Sequence, residues 1–318
     1  MIVALSVLLG AAIGGWWGPR LLRRAARPRT DPLVLVVGWC LSITGVLIAV
    51  ATGVALLLSP THGSTDHLAA LFQHCWTAVQ HGSPPDVEHV GGLIAAGILL
   101  ALTIRTTVIG QRARRRRSEI RRGHTALLRT AARSDAQEPR TLWLAHDQPL
   151  AFSIGGKQGV VVVTEGLFRH LDDDSVAAVL AHEHAHLHGR HHLLIALADA
   201  LRDALPFVPL FRQAPVALRQ LVELVADVAA VRTCGVAAVR AALLGISGRG
   251  VPDWVLTMAR DAVDIRLARL DAGIRPPGRI RRFTSCTAAG LGLAVLPFLA
   301  AATIFSLVGA VACPMIVD

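Results

Sequence analysis

Long apolar runs constrain this chain more than any other feature. Leu33 to Leu58 and Cys286 to Cys313 carry no charged residue, and Val90 to Gly110 carries only Arg105, close to its end. A helix needs about 20 apolar residues to cross the hydrocarbon of a bilayer, and each of these runs is long enough. Ile2 to Trp17 is shorter but also uncharged. With 53% hydrophobic residues and a mean hydropathy of +0.51, the chain is too apolar for an ordinary soluble domain. Four spans are expected, at 2–17, 33–58, 90–110 and 286–313. They leave a membrane domain over 1–110, a polar domain over 111–285 and a closing span.

Charge orders these segments. The first run is no secretory signal, because its basic residues (Arg20, Arg23, Arg24, Arg27, Arg29) follow the apolar stretch instead of preceding it. Residues 59–89 contain no Lys or Arg, whereas Arg112, Arg114, Arg115, Arg116, Arg117, Arg121 and Arg122 follow the third run. Arg275, Arg279, Arg281 and Arg282 precede the last one. The positive-inside rule then predicts a multi-pass plasma-membrane protein. Both termini and the 59–89 loop are extracytoplasmic, and 111–285 is cytoplasmic. The net charge of +10 is read the same way. Basic residues cluster beside membrane ends, where they meet anionic lipid headgroups. No stacking aromatics interrupt the run at 112–122, so direct nucleic-acid binding is not expected. The five cysteines form no CxxC pair. Cys75 and Cys313 fall on the outside and could pair there.

The chemistry is concentrated in His182-Glu183-His184-Ala185-His186. Residues i and i+4 share one helix face, so His182 and His186 can direct two imidazoles at one metal ion, with Glu183 beside them. The bland alternative is a solvated histidine cluster, since His188, His191 and His192 crowd the same stretch. A third ligand argues against it. Glu223 lies 37 residues after His186, far enough for one helix to end and another to return. Two histidines and a carboxylate leave a zinc coordination position open, as hydrolytic sites require. Asp227, four residues on, can accept a hydrogen bond from a ligand imidazole and fix its tautomer. Glu183 is then the general base, and one Zn²⁺ per chain is expected. Arg240, Arg266 and Arg269 on later helical segments read as surface salt-bridging residues, with oxyanion stabilisation as the alternative.

The block Ala178–His186, with Glu223 and Asp227 downstream, resembles the active-site helices of integral-membrane gluzincin peptidases. Two related families share this pattern: the BlaR/MecR-type antirepressor peptidases, and the HtpX and CAAX-prenyl-protease (Ste-type) group. Leu150–Ser153 followed by Val160–Leu167 resembles the strands before that helix. The resemblance covers 140–230. It departs at Arg275-Pro276-Pro277-Gly278-Arg279-Ile280, where HtpX-type chains often carry a His-Pro element before Arg-Ile. It implies an α+β zincin-like domain, mostly helical with a small sheet, inserted between transmembrane helices. It further implies that Ala151, Phe152 and Ser153 form the sheet edge that binds substrate, with an ordinary structural hairpin as the alternative.

Local patterns agree with that fold class. Thr141–Leu144, Leu150–Ile154 and the β-branched Val160–Thr164 read as strands, the last two forming a hairpin across a Gly-rich turn. Ser118–Ala132 reads as a basic helix. Asp172, Asp173 and Asp174 open the active-site helix as capping residues and not as metal ligands. That helix runs to His188 before Gly189, and Pro215–Val231 forms the next, ending near Gly235. Residues 193–211 either lie at the membrane surface or an access groove, or form a buried core helix and turn. The functional expectation is a membrane zinc endopeptidase acting on cytoplasmic or membrane proteins. Three spans before the polar domain and one after lean towards the BlaR/MecR type. That resemblance implies cleavage of a DNA-binding repressor after an outside signal. Membrane-protein quality control, implied by the HtpX resemblance, is the alternative. A metal-bearing receptor without catalysis is the competing class.

Overall fold

The computed structural model describes residues 2–27, 30–58, 94, 97–98, 100–101, 103–112, 115, 119, 133–134, 141–156, 159–247, 263–272, 295, 297–303 and 306. The 59–89 loop, Ser118, most of the helix expected up to Ala132, Cys75, Cys313 and the 275–280 stretch lie outside these residues.

Helices α1 (Ile2–Ala25) and α2 (Pro32–Leu58) form an antiparallel pair. A side chain at Gly14 would meet Val46, and one at Gly53 would meet Leu8. Asp31 caps α2: its carboxylate accepts from the Leu33 amide at 2.9 Å, and Pro32 takes the first helical position, where no amide is needed. The first helix runs past Trp17 and carries Arg20, Arg23 and Arg24 at its carbonyl end, where cations oppose the helix dipole. Among the described residues, Pro32–Leu57 is the one helix long and apolar enough to cross a membrane, with a hydropathy of 2.6. The expected spans over 90–110 and 286–313 are described only in part, as helical positions that include 103–112 and 297–303. The latter segment lies against α1. A Cβ on Gly10 would fall 2.1 Å from the Pro297 carbonyl oxygen, so glycine there permits the approach.

A four-stranded sheet follows, with β1 (Arg133–Ser134), β2 (Thr141–Leu144), β3 (Ala151–Ile154) and β4 (Val160–Thr164) in the order β1-β2-β4-β3. Strand β4 is buried throughout and bonds to a neighbour on each side, which explains an unbroken β-branched run with no polar alternation. Its pairing with β3 is the antiparallel hairpin expected, and its pairing with β2 is parallel. Among the described residues, strand β3 is an edge, bonded to β4 alone.

Four helices follow the sheet, α3 (Glu165–His170), α4 (Asp173–His188), α5 (His191–Ala204) and α6 (Pro209–Ser247), and a further helix covers 263–271. Asp172 caps α4 by accepting from the Ser175 amide at 3.0 Å. The helix expected from Pro215 starts six residues earlier, at Pro209, and Pro215 sits inside it. Gly235 does interrupt the helix, with φ of +85°, but the chain then resumes helical geometry to Ser247.

The two largest apolar cores among the described residues join these elements. One packs Val161 and Val163 of β4 and Leu167 of α3 against Val176 and Val179 of α4 and Ala230, Val239 and Leu243 of α6. The other joins Leu22 of α1 and Leu35, Trp39 and Ile43 of α2 to Leu201, Leu205, Leu210, Phe211 and Leu218. Residues 193–211 are therefore a helix and turn packed on α1 and α2.

Candidate metal centre and active site

Helix α4 carries His182, Glu183 and His186, and α6 packs alongside it and brings in Glu223 and Asp227. The i,i+4 spacing places both imidazoles on one face of α4. His182 Nε2 and His186 Nε2 lie 3.1 Å apart. Glu223 Oε2 is 3.4 Å from the first, and Oε1 is 3.4 Å from the second. Tetrahedral zinc with bonds of about 2.0–2.2 Å holds neighbouring ligand atoms about 3.3 Å apart, so these three donors fit the ion. They are the one such His/Cys/Asp/Glu group among the described residues.

Each imidazole is held from behind. His182 Nδ1 lies 3.0 Å from Asp227 Oδ1, leaving Nε2 to face the cluster. Burial alone would push the His182 pKa down, but the hydrogen-bonded carboxylates of Asp227 and Glu223 outweigh it and hold the ring at about 9. Burial pushes His186 down to about 4, against the pull of Glu223. Glu223 and Asp227 are both held below the usual carboxylate range. Burial opposes that shift, and the His182 ring overcomes it, helped at Asp227 by the Arg266 guanidinium.

Glu183 sits beside edge strand β3. Burial pushes its carboxyl up, against the His182 charge and hydrogen bonds from Ser153. Ser153 thus touches the acid, Ala151 is half-buried against the core, and Phe152 is 42% exposed on the same strand.

Two residues took no part in the expected site. The first is His191, 7% exposed, whose Nδ1 lies 2.9 Å from His186 Nδ1. No helical spacing places residue 191 against residue 186. The chain breaks at Gly189 and at Arg190, which adopts left-handed φ of 48°, and α5 then starts in a new direction. A Cβ on Gly189 would fall 2.3 Å from the His191 ring, so this crossing requires glycine. The second is Arg266, on a helix over 263–271. It is not a surface salt-bridging residue. Its side chain is 18% exposed and donates to both oxygens of Asp227 at 2.6 and 2.7 Å. It also approaches Glu223 Oε2 at 3.7 Å. Nothing in Ile265-Arg266-Leu267 marks this arginine beyond its apolar neighbours. Arg240 does pair at the surface, with Asp271. Arg269, 8% exposed, instead donates to the Thr30 carbonyl between α1 and α2.

Residues 114–247 match the model of Peptidase family M48. A Protease HtpX homolog from Salinibacter ruber is 35% identical over 97 residues, 30% of this chain and 35% of the relative. The homolog from Methanopyrus kandleri is 34% identical over 95 residues, 28% of this chain and 30% of the relative. That from Desulforapulum autotrophicum is 37% identical over 79 residues, 24% and 26% of the two chains. The chain thus spans about a third of the length of the curated relatives it matches. No solved structure matches it.

Proposed function

We propose that the chain is a membrane-anchored zinc endopeptidase, since residues 114–247 match Peptidase family M48 and are similar to the HtpX homologs. The convergence of His182, His186 and Glu223 at the spacing of tetrahedral ligands, with a buried carboxyl next to it, carries this reading. Zinc at such a site supplies a Lewis acid for the scissile carbonyl and lowers the pKa of water towards neutrality. Glu183 takes the proton from the attacking water and delivers it to the leaving amine. A carboxyl shifted upward by burial is suited to that work near neutral pH. Asp227 fixes the His182 tautomer, and Arg266 fixes Asp227. The open edge of β3 takes substrate as an added strand, with main-chain hydrogen bonds to Ala151–Ser153.

The substrate is a cytoplasmic protein or the cytoplasmic part of a membrane protein. The contact from Arg269 to Thr30 supports this orientation, because it puts the peptidase domain on the side of α1 that carries Arg20, Arg23 and Arg24. Quality control of membrane proteins, after the HtpX relatives, is the first reading. Cleavage of a DNA-binding repressor after an outside signal is the second. One connection favours it: the loop between α1 and α2 holds Arg269, one turn from the Arg266 that grips Asp227.

Zinc content and cleavage of an unfolded protein in detergent, beside Glu183→Gln, test the proposal. One zinc per chain in both proteins, with cleavage by wild type alone, is expected. Zinc without cleavage in either protein would favour a metal-bearing receptor, and absence of zinc would overturn the site itself.

A further inference from the structure

Helices α5 and α6 form a hairpin whose tip, residues 205–210, points away from the metal cluster. His191 begins α5 at His186, and Ala204 ends it about 20 Å further on at 1.5 Å per residue. Asp199 and Arg219 clip the two helices together, with two contacts of 2.7 and 2.8 Å. The tip lies against α1: an ideal Cβ on Gly15 would be 2.9 Å from Val208, and one on Gly18 would be 3.7 Å from Leu210.

These contacts fix a depth. Arg20 marks the start of the basic end of α1, and Gly15 lies five residues, or about 8 Å, further into the apolar part of that helix. Trp16 and Trp17 are 54% and 56% exposed at the same level, and Arg20 stacks on Trp17 at 5.2 Å. Amphipathic aromatics of this kind sit at the headgroup boundary. The tip of the hairpin is therefore level with an interfacial tryptophan pair, and its own exposed surface is apolar. Phe207 is 66% exposed, the highest value among the large hydrophobic residues described. Leu193 and Leu197, one turn apart on α5, and Val216 on α6 are 51%, 59% and 60% exposed.

We propose that the α5–α6 hairpin is a bilayer wedge, with Phe207 seated among lipid acyl chains of the leaflet that faces the basic end of α1. Two observations limit its depth. Helix α5 has 14 residues, about 21 Å, too short for a hydrocarbon layer of about 30 Å. It also carries Asp199, Arg202 and Asp203, which pair with Arg219 or with each other. The hairpin lies in the interface and does not span. Its consequence rests on the peptidase reading: the metal site is held within about 20 Å of the acyl chains, so the bonds it reaches are juxtamembrane ones.

The experiment uses the wild-type protein in vesicles of phosphatidylcholine and phosphatidylglycerol, with a diazirine-bearing phosphatidylcholine acyl chain as probe. After irradiation, lipid adducts are mapped by mass spectrometry. Adducts are expected on the tryptic peptide 203–212 as well as on α2, and Phe207→Asp should lose the former while keeping the latter and the zinc content. Adducts on α2 with none on 203–212 would overturn the wedge and leave the membrane anchor standing. No adducts on either would overturn both. The peptidase reading is untouched by each result, because no cleavage is measured.

Discussion

Replacing Arg266 by alanine isolates one buried interaction. Asp227 is 5% exposed and Arg266 18% exposed, and the guanidinium meets both carboxylate oxygens within 2.7 Å. Breaking a buried ion pair by removing one partner costs about 3–5 kcal/mol, because the other charge stays buried. Two features place this pair at the lower end. Arg266 is not fully enclosed, and His182 remains 3.0 Å from Asp227 to share its charge. A loss of about 3 kcal/mol corresponds to a fall in Tm of about 6–12 °C for a domain of this size. Thermal unfolding of the metal-free protein in detergent, followed by circular dichroism near pH 7.5, reads it. Arg266→Lys should recover only part of the loss, since a point charge cannot meet two oxygens at once. The pH dependence has a definite sign. Asp227 is held below its ordinary value, so its contribution is complete above the unfolded pKa and disappears as pH falls through the folded one. The gap between wild type and variant should close below about pH 4. A Tm within about 2 °C of wild type would refute the claim that this arginine is part of the buried frame.

The other expectations concern the metal and the shared core. Zinc must displace the proton that His182 holds at about 9, so binding should release one proton per zinc at neutral pH, and affinity should weaken about tenfold per unit of acidification. Calorimetry in buffers of different ionisation enthalpy would show no proton release if this is wrong. His191→Ala should lower zinc affinity by about 10–100-fold by freeing the His186 ring, which competition with a chelator would measure. Unchanged affinity would leave His191 a packing residue. Leu218→Ala should cost about 2–5 kcal/mol, because this side chain is fully enclosed where α6 packs on α1 and α2. A loss below 1 kcal/mol would mean that the two parts pack less tightly than described.

What could be read from the sequence follows from how local each signal is. The histidine pair, the Asp172 cap and the Val160–Thr164 strand depend on residues within one turn or one strand, and periodicity exposes them. Glu223 needed one further step, a helix returning to α4, and its carboxylate spacing from Asp227 supplied that. Arg266 and His191 were not legible. Arg266 reaches Asp227 across 39 residues, beyond the matched stretch 114–247, and no spacing rule links the two. His191 reaches His186 only because Arg190 takes a left-handed conformation, which the residue type does not advertise. The parallel β2–β4 pairing also escaped the reading, since a hairpin turn announces an antiparallel neighbour and nothing local announces a parallel one.

The second apolar core has a bearing on what can be cut from this chain. Leu22 of α1 and Leu35, Val36, Trp39, Ile43 and Val46 of α2 cover the buried face of α5, the turn after it and α6. A fragment confined to 114–247 would leave Leu210, Phe211 and Leu218 without the side chains that cover them. Each such exposure forfeits about 1.5–3 kcal/mol, a large share of the few kcal/mol by which domains are stable. The cooperative unit is therefore larger than the stretch that resembles other proteins, and it includes α1 and α2. Conditions that loosen α1 from α2 should lower the unfolding temperature of the peptidase helices, although no residue of the metal site has changed.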